Sequence, residues 1–361
     1  MNRRDFTKLS TLALASSYLP ASAQNTPTGK PVGYAAVGLG TISDIFMRGC
    51  QATQSSKITA LVTGHPDTKG VKYAEMYGIP KSSIYTYEQF DRIRENKDVD
   101  AVYIGLPNSM HKEYTVRAAQ AGKHVLCEKP MAVSSEECRA MIAACKKANV
   151  KLMIAYRIQY EPTWKKAIAM IEAGDIGDIQ SFTGGYYAQM KAPQWRLNKA
   201  LAGGGPIMDL GVYPLNAIRH ITKEEPKKFT AVVSTMDHSG RFAEMEQSME
   251  WTMEFPSGII AKCGTSYGQS GPSMLTVNGT KGYLEFSPAF NYDKGHVGGR
   301  IGREPVDLSA TQQHPYQFTL EADHFSDCVR NDKEPLAAGE EGLKDLLAIE
   351  AIYRAAGTPI A

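Results

Sequence analysis

Three short stretches carry residue types that can do chemistry together. The first is Gly38-Leu39-Gly40-Thr41-Ile42-Ser43, directly after the apolar run 33–37. A first glycine permits a tight turn and a second lets the backbone approach a pyrophosphate. The helix that follows turns its amide-rich N-terminus toward the negative charge. Ser43 stands where a third Gly or Ala usually lets helix and strand pack closely, and Ser is small enough for the same task. Glycine turns are common, so the motif gains its meaning from its place at the first strand of a βαβ unit. The second stretch is Cys127-Glu128-Lys129-Pro130, at the end of an apolar run. A lysine at a strand's carboxyl end faces a ligand crevice; the competing reading is a loop lysine before a helix-starting proline. The third is Gly203-Gly204-Gly205-Pro206-Ile207-Met208-Asp209-Leu210-Gly211-Val212-Tyr213. Asp209 and Tyr213 share one face if this segment is helical. The competing reading makes Asp209 a helix cap and Tyr213 core filler.

The end of the second strand bears on the cofactor. An NAD site usually places a carboxylate about 20 residues past the glycines, where it binds the ribose hydroxyls. Here Leu61-Val62-Thr63-Gly64-His65-Pro66-Asp67-Thr68-Lys69 puts Thr63 at that point. A 2′-phosphate is repelled by a carboxylate and welcomed by a hydroxyl with a nearby Lys69. Asp67 argues the other way if it turns inward. NADP is favoured over NAD.

Positioning these groups requires alternating elements. Strands are expected at 33–37, 58–63, 99–105, 124–127 and 151–156, with helical stretches such as 116–121 and 135–148 between them. That alternation predicts an α/β Rossmann domain with a parallel sheet, over 31–157, with ligand at the carboxyl ends of its strands. From 158 to 361 the pattern changes. A helix over 162–172 leads into strands at 179–190, 229–236, 247–255, 259–266, 274–278 and 283–286, and helices over 315–330 and 340–356 close the chain. Grouped strands predict an α+β domain with a large, mostly antiparallel sheet.

Composition narrows the partners. The 361 residues are 43% hydrophobic, with 40 basic and 38 acidic side chains and a formal charge of +2. This balance argues against nucleic acid or an anionic membrane as the main partner. There is no internal repeat and no low-complexity tract. Asn2-Arg3-Arg4-Asp5-Phe6-Thr7-Lys8, an apolar stretch over 9–19 and Ala21-Ser22-Ala23 read as a twin-arginine leader over 1–23, cleaved near Ala23. The stretch is shorter than the roughly 20 apolar residues of a membrane span, so no stable anchor is expected. Export in the folded state to the periplasm suits a protein whose cofactor is inserted beforehand. The six cysteines show no CxxC spacing and read as free, buried thiols, and no metal site is expected.

Taken together, the chain from about Pro31 resembles the Gfo/Idh/MocA family of sugar and inositol oxidoreductases, which have a Rossmann domain and an open-faced sheet domain. The resemblance rests on residues 38–43, Leu106-Pro107-Asn108-Ser109-Met110-His111, Glu128-Lys129-Pro130 and 203–213. Within the family it is most similar to the periplasmic glucose–fructose oxidoreductases, through the leader, Leu61-Val62-Thr63-Gly64, Tyr156-Arg157, Gln194-Trp195-Arg196-Leu197, Glu224-Glu225-Pro226 and tyrosine at 213.

The resemblance implies that Gly38, Gly40, Thr41, Ile42, Thr63, Gly64, Lys69, Leu106, Pro107, Asn108, His111, Glu128, Lys129, Trp195 and Arg196 hold the cofactor. It implies that Tyr213 is the base for a sugar hydroxyl. Lys129 lowers the tyrosine's pKa from roughly 10 and binds the sugar oxygen, while Asp209 holds the hydroxyl or Lys129. Tyr156 and Arg157 line the sugar pocket, with core packing the alternative for Tyr156, a helix cap without ligand contact the alternative for His111, and a structural loop anchor that for Trp195 and Arg196. The expected reaction oxidises an aldose at C1 to the lactone and reduces a second sugar through tightly bound NADP. The alternatives are an ordinary dehydrogenase with exchangeable cofactor, an NAD-dependent glycosidase and a non-catalytic sugar sensor. A homodimer or homotetramer through the second sheet is expected. The long arm of the glucose–fructose enzymes shrinks here to residues 24–30, which removes one means of retaining the cofactor. The basic residue expected at Thr68 is displaced to Lys69.

The leader is testable directly. Arg3→Lys with Arg4→Lys is expected to leave the precursor in the cytoplasm with its leader attached, as read by cell fractionation and intact mass. Periplasmic delivery of the double variant removes the twin-arginine reading.

Overall fold

Residue runs buried on both faces form the first sheet. In the computed structural model, which describes residues 29–293 and 295–360, six parallel strands alternate with helices. The leader and the arm up to residue 28 lie outside the described residues. The strands are β1 (Val32–Val37), β2 (Ser56–Val62), β3 (Ile84–Tyr85), β4 (Ala101–Ile104), β5 (His124–Glu128) and β6 (Leu152–Ala155). The helices are α1 (Thr41–Gln51), α2 (Val71–Tyr77), α3 (His111–Gln120) and α4 (Ser135–Ala148). Every residue of β1, β4 and β6 is buried, as a parallel sheet covered on both faces requires. The strand order β3-β2-β1-β4-β5-β6 reverses direction between β1 and β4, which opens a crevice beyond their carboxyl ends.

The second sheet has eight strands in the order β14-β13-β12-β11-β7-β10-β9-β8, antiparallel except for the β7–β10 pair. After α5 (Pro162–Glu172) come β7 (Ile179–Tyr187), the short α6 (Lys199–Ala202), α7 (Val212–Thr222), β8 (Lys228–Ser234), β9 (Ser248–Glu254) and β10 (Ile260–Ser266). Then follow β11 (Met274–Gly279), β12 (Gly282–Phe286), β13 (His296–Ile301) and β14 (Glu304–Ser309). The last two strands have no counterpart in the sequence reading. Gly298 and Gly299 interrupt the alternation of β13, and Pro305 sits in β14, at the sheet's edge where a missing amide is tolerated. β7 ends at Tyr187, short of the expected 190, and only an isolated bridge from Gln189 to Gly268 follows.

The final helices are α8 (Tyr316–Arg330) and α9 (Gly339–Ala355). Phe318, Ala322 and Phe325 of α8 share a core with Tyr34 and Phe46, and the Tyr34 hydroxyl meets Ser326 Oγ at 2.9 Å. Chain order groups these helices with the second sheet; α8 packs on the first, while α9 lies between α4 and β6 on one side and α7 and β8 on the other. No helix of the described residues is long and apolar enough to cross a membrane. All six cysteines are free and buried.

The turn into α1 is built tightly. Gly38 has φ +82°, and a Cβ there would lie 2.8 Å from the carbonyl oxygen of Gly105. Ser43 is fully buried, its Oγ has no hydrogen-bond partner, and a Cβ on Gly105 would come within 2.3 Å of it. Close packing between α1 and the end of β4 thus depends on small residues from both sides. Gly105→Ala is expected to lower stability by about 1–3 kcal/mol in urea unfolding. Ser43→Ala alone is expected to be neutral or stabilising, and combined with Gly105→Ala to recover part of the loss. Equal stability of wild type and Gly105→Ala rejects this packing account.

Candidate active site

Residues that follow four of the strands converge on one cleft of about 920 Å³. Gly38 to Ile42 come after β1, Thr63, Gly64, His65 and Lys69 after β2, Gly105 to Asn108 after β4, and Glu128 and Lys129 from the end of β5. The far wall, from the second half of the chain, supplies Tyr186, Met190, Trp195, Arg196, Asp209, Tyr213 and Tyr292. Every expected cofactor contact therefore lines this cleft except His111.

The glycine end fits a pyrophosphate. Gly40 is the N-cap of α1, no side chain caps the helix, and nothing lies within 4 Å of where a Cβ would stand. The helix therefore points unpaired amides into open space. Beyond it, Thr63 is buried with its Oγ1 accepting from the His65 amide at 3.1 Å. The carboxylates that line the cleft are Glu128 and Asp209, so none belongs to the β2 end, and Asp67 is exposed and outside the lining. Lys69 and His65 supply the polar surface there. His65 and Tyr87, whose ring covers Gly64, were not singled out from sequence; His65 falls within the segment after β2 and Tyr87 just after β3, and neither matches a residue-type rule.

The other end is a charge cluster. Residues Ile207–Gly211 form a wide π-type turn ahead of α7, which leaves the Asp209 carbonyl free to accept from Lys129 Nζ at 2.8 Å. The same ammonium reaches Asp209 Oδ1 at 3.2 Å, while Arg196 Nε donates to Oδ2 at 2.8 Å. Burial pushes the Asp209 carboxyl up, but Lys129 and Arg196 together pull it further down, to about 2. Arg196 also stacks on Trp195, 4.5 Å from the ring centre. Glu128 accepts from the Tyr103 hydroxyl at 2.6 Å, and burial pushes its carboxyl above the usual range.

Tyr213 faces the cleft, but its surroundings correct the sequence reading. Lys129 Nζ lies over the face of the ring, 4.5 Å from its centre, rather than beside the hydroxyl. The hydroxyl instead receives a hydrogen bond from Arg157 Nη2 at 3.2 Å. Burial raises the tyrosine above its ordinary 10, Arg157 pulls it down, and Glu128 and Asp209 push it up. The expected lowering by Lys129 is therefore not what the geometry provides.

Three further expectations are corrected. Arg157 does not line the pocket: β6 ends at Ala155, and the tight turn Arg157–Tyr160 swings the side chain inward, where it is 3% exposed. Tyr156 is buried too, and its hydroxyl donates to Asp345 Oδ2 at 2.5 Å, so it packs in the core. His111 is fully buried between the carbonyl oxygens of Leu106 and Pro130, at 2.9 and 3.0 Å, and ties two cleft loops together without reaching the cleft. Burial lowers its pKa. Tyr186 and Tyr292 were missed because neither sits in a motif. They flank Tyr213 from the end of β7 and from the segment after Phe290.

Comparison with known proteins agrees with this architecture. Residues 32–156 match the oxidoreductase family with an NAD-binding Rossmann fold, and residues 164–285 match the GFO/IDH/MocA C-terminal domain. A D-xylose 1-dehydrogenase [NADP(+)] of Haloarcula marismortui is 30% identical, across 93% of this chain and 94% of that protein. A 1,5-anhydro-D-fructose reductase of Ensifer adhaerens is 28% identical, across 89% and 95%. The crystal structure of aldose–aldose oxidoreductase from Caulobacter crescentus, complexed with glycerol, superposes with a TM-score of 0.87. It is 44% identical, across 91% of this chain and 98% of that one.

The Asp209 cluster carries a stability signature. Asp209→Asn leaves two cations facing each other and is expected to lower stability by about 2–4 kcal/mol at pH 7, less than a fully enclosed pair because solvent reaches Arg196. With the carboxyl held at about 2 in the fold against an ordinary 3.8, its contribution is complete above about pH 4 and fades as pH falls toward 2. Urea unfolding of wild type and variant should therefore converge across that interval. A constant gap means that another interaction sets the difference.

Proposed function

The chain belongs to the GFO/IDH/MocA oxidoreductase family, and on that premise we propose that it is an NADP-dependent sugar oxidoreductase coupling two sugars at one site. The observation that carries the reading is the meeting of Lys129, Asp209 and Tyr213 at one end of a single cleft whose other end offers Thr63, His65 and Lys69 without a carboxylate. The similarity to an aldose–aldose oxidoreductase supports the coupled form.

Each group has a task that its position allows. Gly38, Gly40 and the first turn of α1 would hold the pyrophosphate, and Lys69 with Thr63 and His65 would meet the 2′-phosphate. When bound, the nicotinamide supplies reversible hydride transfer at a sugar CH–OH. The Tyr213 oxygen takes the hydroxyl proton as an aldose becomes its lactone, and returns a proton when the second sugar is reduced. Lys129 keeps an N–H for a sugar oxygen beyond those engaged by Asp209. Asp209 stays ionised and fixes both Lys129 and Arg196 around the reacting carbon. Tyr186, Tyr292 and Trp195 give flat faces for the sugar ring. The twin-arginine leader and periplasmic delivery belong to the same proposal, since a cofactor that is inserted before export and retained needs no outside supply. Pairing of copies through the open face of the second sheet belongs to it as well.

The resemblance to D-xylose 1-dehydrogenase and the short arm favour a second reading, an ordinary dehydrogenase that exchanges its cofactor. Purified protein decides between them. On the coupled reading, absorbance and mass spectra show bound NADP. An aldose with a reducible sugar turns over without added cofactor by ping-pong kinetics, and aldose alone gives one burst of NADPH. If dialysis strips the cofactor and activity returns only in proportion to added NADP, the coupled reading is wrong.

A further inference from the structure

Resting on the reading that Tyr213 accepts the sugar proton, we propose that Arg157 is a positioning residue for that step. From behind the cleft wall it aims the Tyr213 hydroxyl and stabilises the oxygen when it is negatively charged, touching neither sugar nor cofactor.

The argument begins with an unusual set of partners. Arg157 Nη2 donates to the Tyr213 hydroxyl at 3.2 Å and to the Phe290 carbonyl, and Nη1 donates to the Asn291 carbonyl at 3.0 Å and to Gln317 Oε1. All four acceptors are neutral. Among the described residues no carboxylate forms an ion pair with this guanidinium, and its Nε has no partner. Buried charges are ordinarily paired, because leaving water is costly and removing a partner destabilises strongly. The buried carboxyls of Glu128 and Glu321 lie within its electrostatic reach, and burial pushes both toward their neutral forms. A cation whose hydrogen-bond partners are all neutral is a standing source of positive potential in a poorly screened place. The partner it lacks in the resting protein forms when Tyr213 becomes a phenolate. Stabilisation of this kind, arranged in advance of the charge, is effective in water-excluded sites.

Geometry makes the aim specific. The guanidinium carbon lies 5.1 Å from the centre of the Tyr213 ring and 4.4 Å from that of Tyr292, so Arg157 braces two walls of the cleft. The carbonyls of Phe290 and Asn291 and the side chain of Gln317, from α8, fix it in turn. Lys129 cannot take this role: it lies over the ring face, and its ammonium is engaged by Asp209. The other ionisable groups facing Tyr213 are Glu128 from β5, Asp209 from the turn before α7, Tyr186 from β7 and Tyr292. Glu128 and Asp209 oppose a phenolate. Arg157 is the group whose hydrogen bond reaches the oxygen itself.

In proton transfer the sugar O–H bond breaks as the phenolic O–H bond forms. Arg157 keeps an N–H on the same oxygen before and after, so the oxygen stays in place throughout. Loss of the guanidinium should make the phenolate harder to form and shift the rise of rate with pH upward.

The test compares Arg157→Gln and Arg157→Lys in the full-length protein with bound cofactor. Arg157→Gln is expected to slow single-turnover oxidation of an aldose at neutral pH by about 10²-fold, with KM changed less than about threefold. The rise of rate with pH should move upward by about one unit or more. Arg157→Lys, which keeps the charge, should recover part of both. In a Tyr213→Phe background Arg157→Gln should add less than about twofold. Independently of turnover, the near-ultraviolet tyrosinate signal, taken as the difference between each protein and its Tyr213→Phe counterpart, should titrate higher when Arg157 is replaced. An unmoved tyrosinate titration, or the same loss with and without the Tyr213 hydroxyl, overturns the proposal and makes Arg157 a packing residue. If Arg157→Gln does not fold, Arg157→Lys with the tyrosinate titration decides in the same way. If Tyr213→Phe alone leaves hydride transfer intact, the proton-acceptor reading fails first, and the two failures are told apart.

Discussion

One carboxylate, that of Asp209, meets the Lys129 ammonium at 3.2 Å and the Arg196 guanidinium at 2.8 Å, and these contacts join segments far apart in the chain. Lys129 follows the last residue of β5 in the parallel sheet. Asp209 sits in the wide turn ahead of α7, and Arg196 belongs to the loop after β7. Drawing these segments together closes one side of the cleft and fixes Tyr213, one helical turn beyond Asp209, against the mouth of the first sheet. Burying Asp209 is favourable only because both of its oxygens are matched by cations. The second sheet thus has a defined register on the Rossmann layer, and the sugar end of the cleft has a defined shape.

Much of this was legible in the sequence because it rests on local pattern. Apolar runs without alternation announced β1, β4 and β6, since both faces of a parallel sheet are covered, and the ranges expected for α4 and α5 match their observed bounds. The glycines at 38 and 40 and the lysine after Glu128 were placed at strand ends, where a doubly wound sheet keeps its ligand crevice. The cleft could be outlined from one-dimensional information for that reason.

What failed depended on the direction of a side chain after a strand had ended. Tyr156 and Arg157 follow β6 as Lys129 follows β5, and a strand-end rule treats them alike. The tight turn from Arg157 to Tyr160 reverses the outcome and turns both inward, toward Asp345 and toward the carbonyls of Phe290 and Asn291. His111 follows the same logic: a histidine beside a ligand loop reads as a contact, yet two carbonyls enclose it. β13 and β14 were hidden by glycine and proline, and Tyr292 sits in no motif. The return of α8 to the first sheet is a long-range packing choice, between Phe318 and Phe46 for example, that no local window contains.

The arrangement of charge suggests why several cations tolerate one another here. Lys129, Arg196 and Arg157 lie around a region where Asp209 is firmly ionised and burial pushes Glu128 toward its neutral form. The side chains of the cluster therefore carry more positive than negative charge, and a close-packed, poorly screened site of this kind is held at some expense of stability. The proposed reaction would supply negative charge there: phosphates along α1 and a negative oxygen on Tyr213 or on the sugar. Positive potential fixed beforehand lowers the energy of those charged states without reorganisation. Neutral hydrogen-bond partners for Arg157 then follow from the same requirement, because an ion pair with a carboxylate would cancel the field at the one oxygen where it is needed.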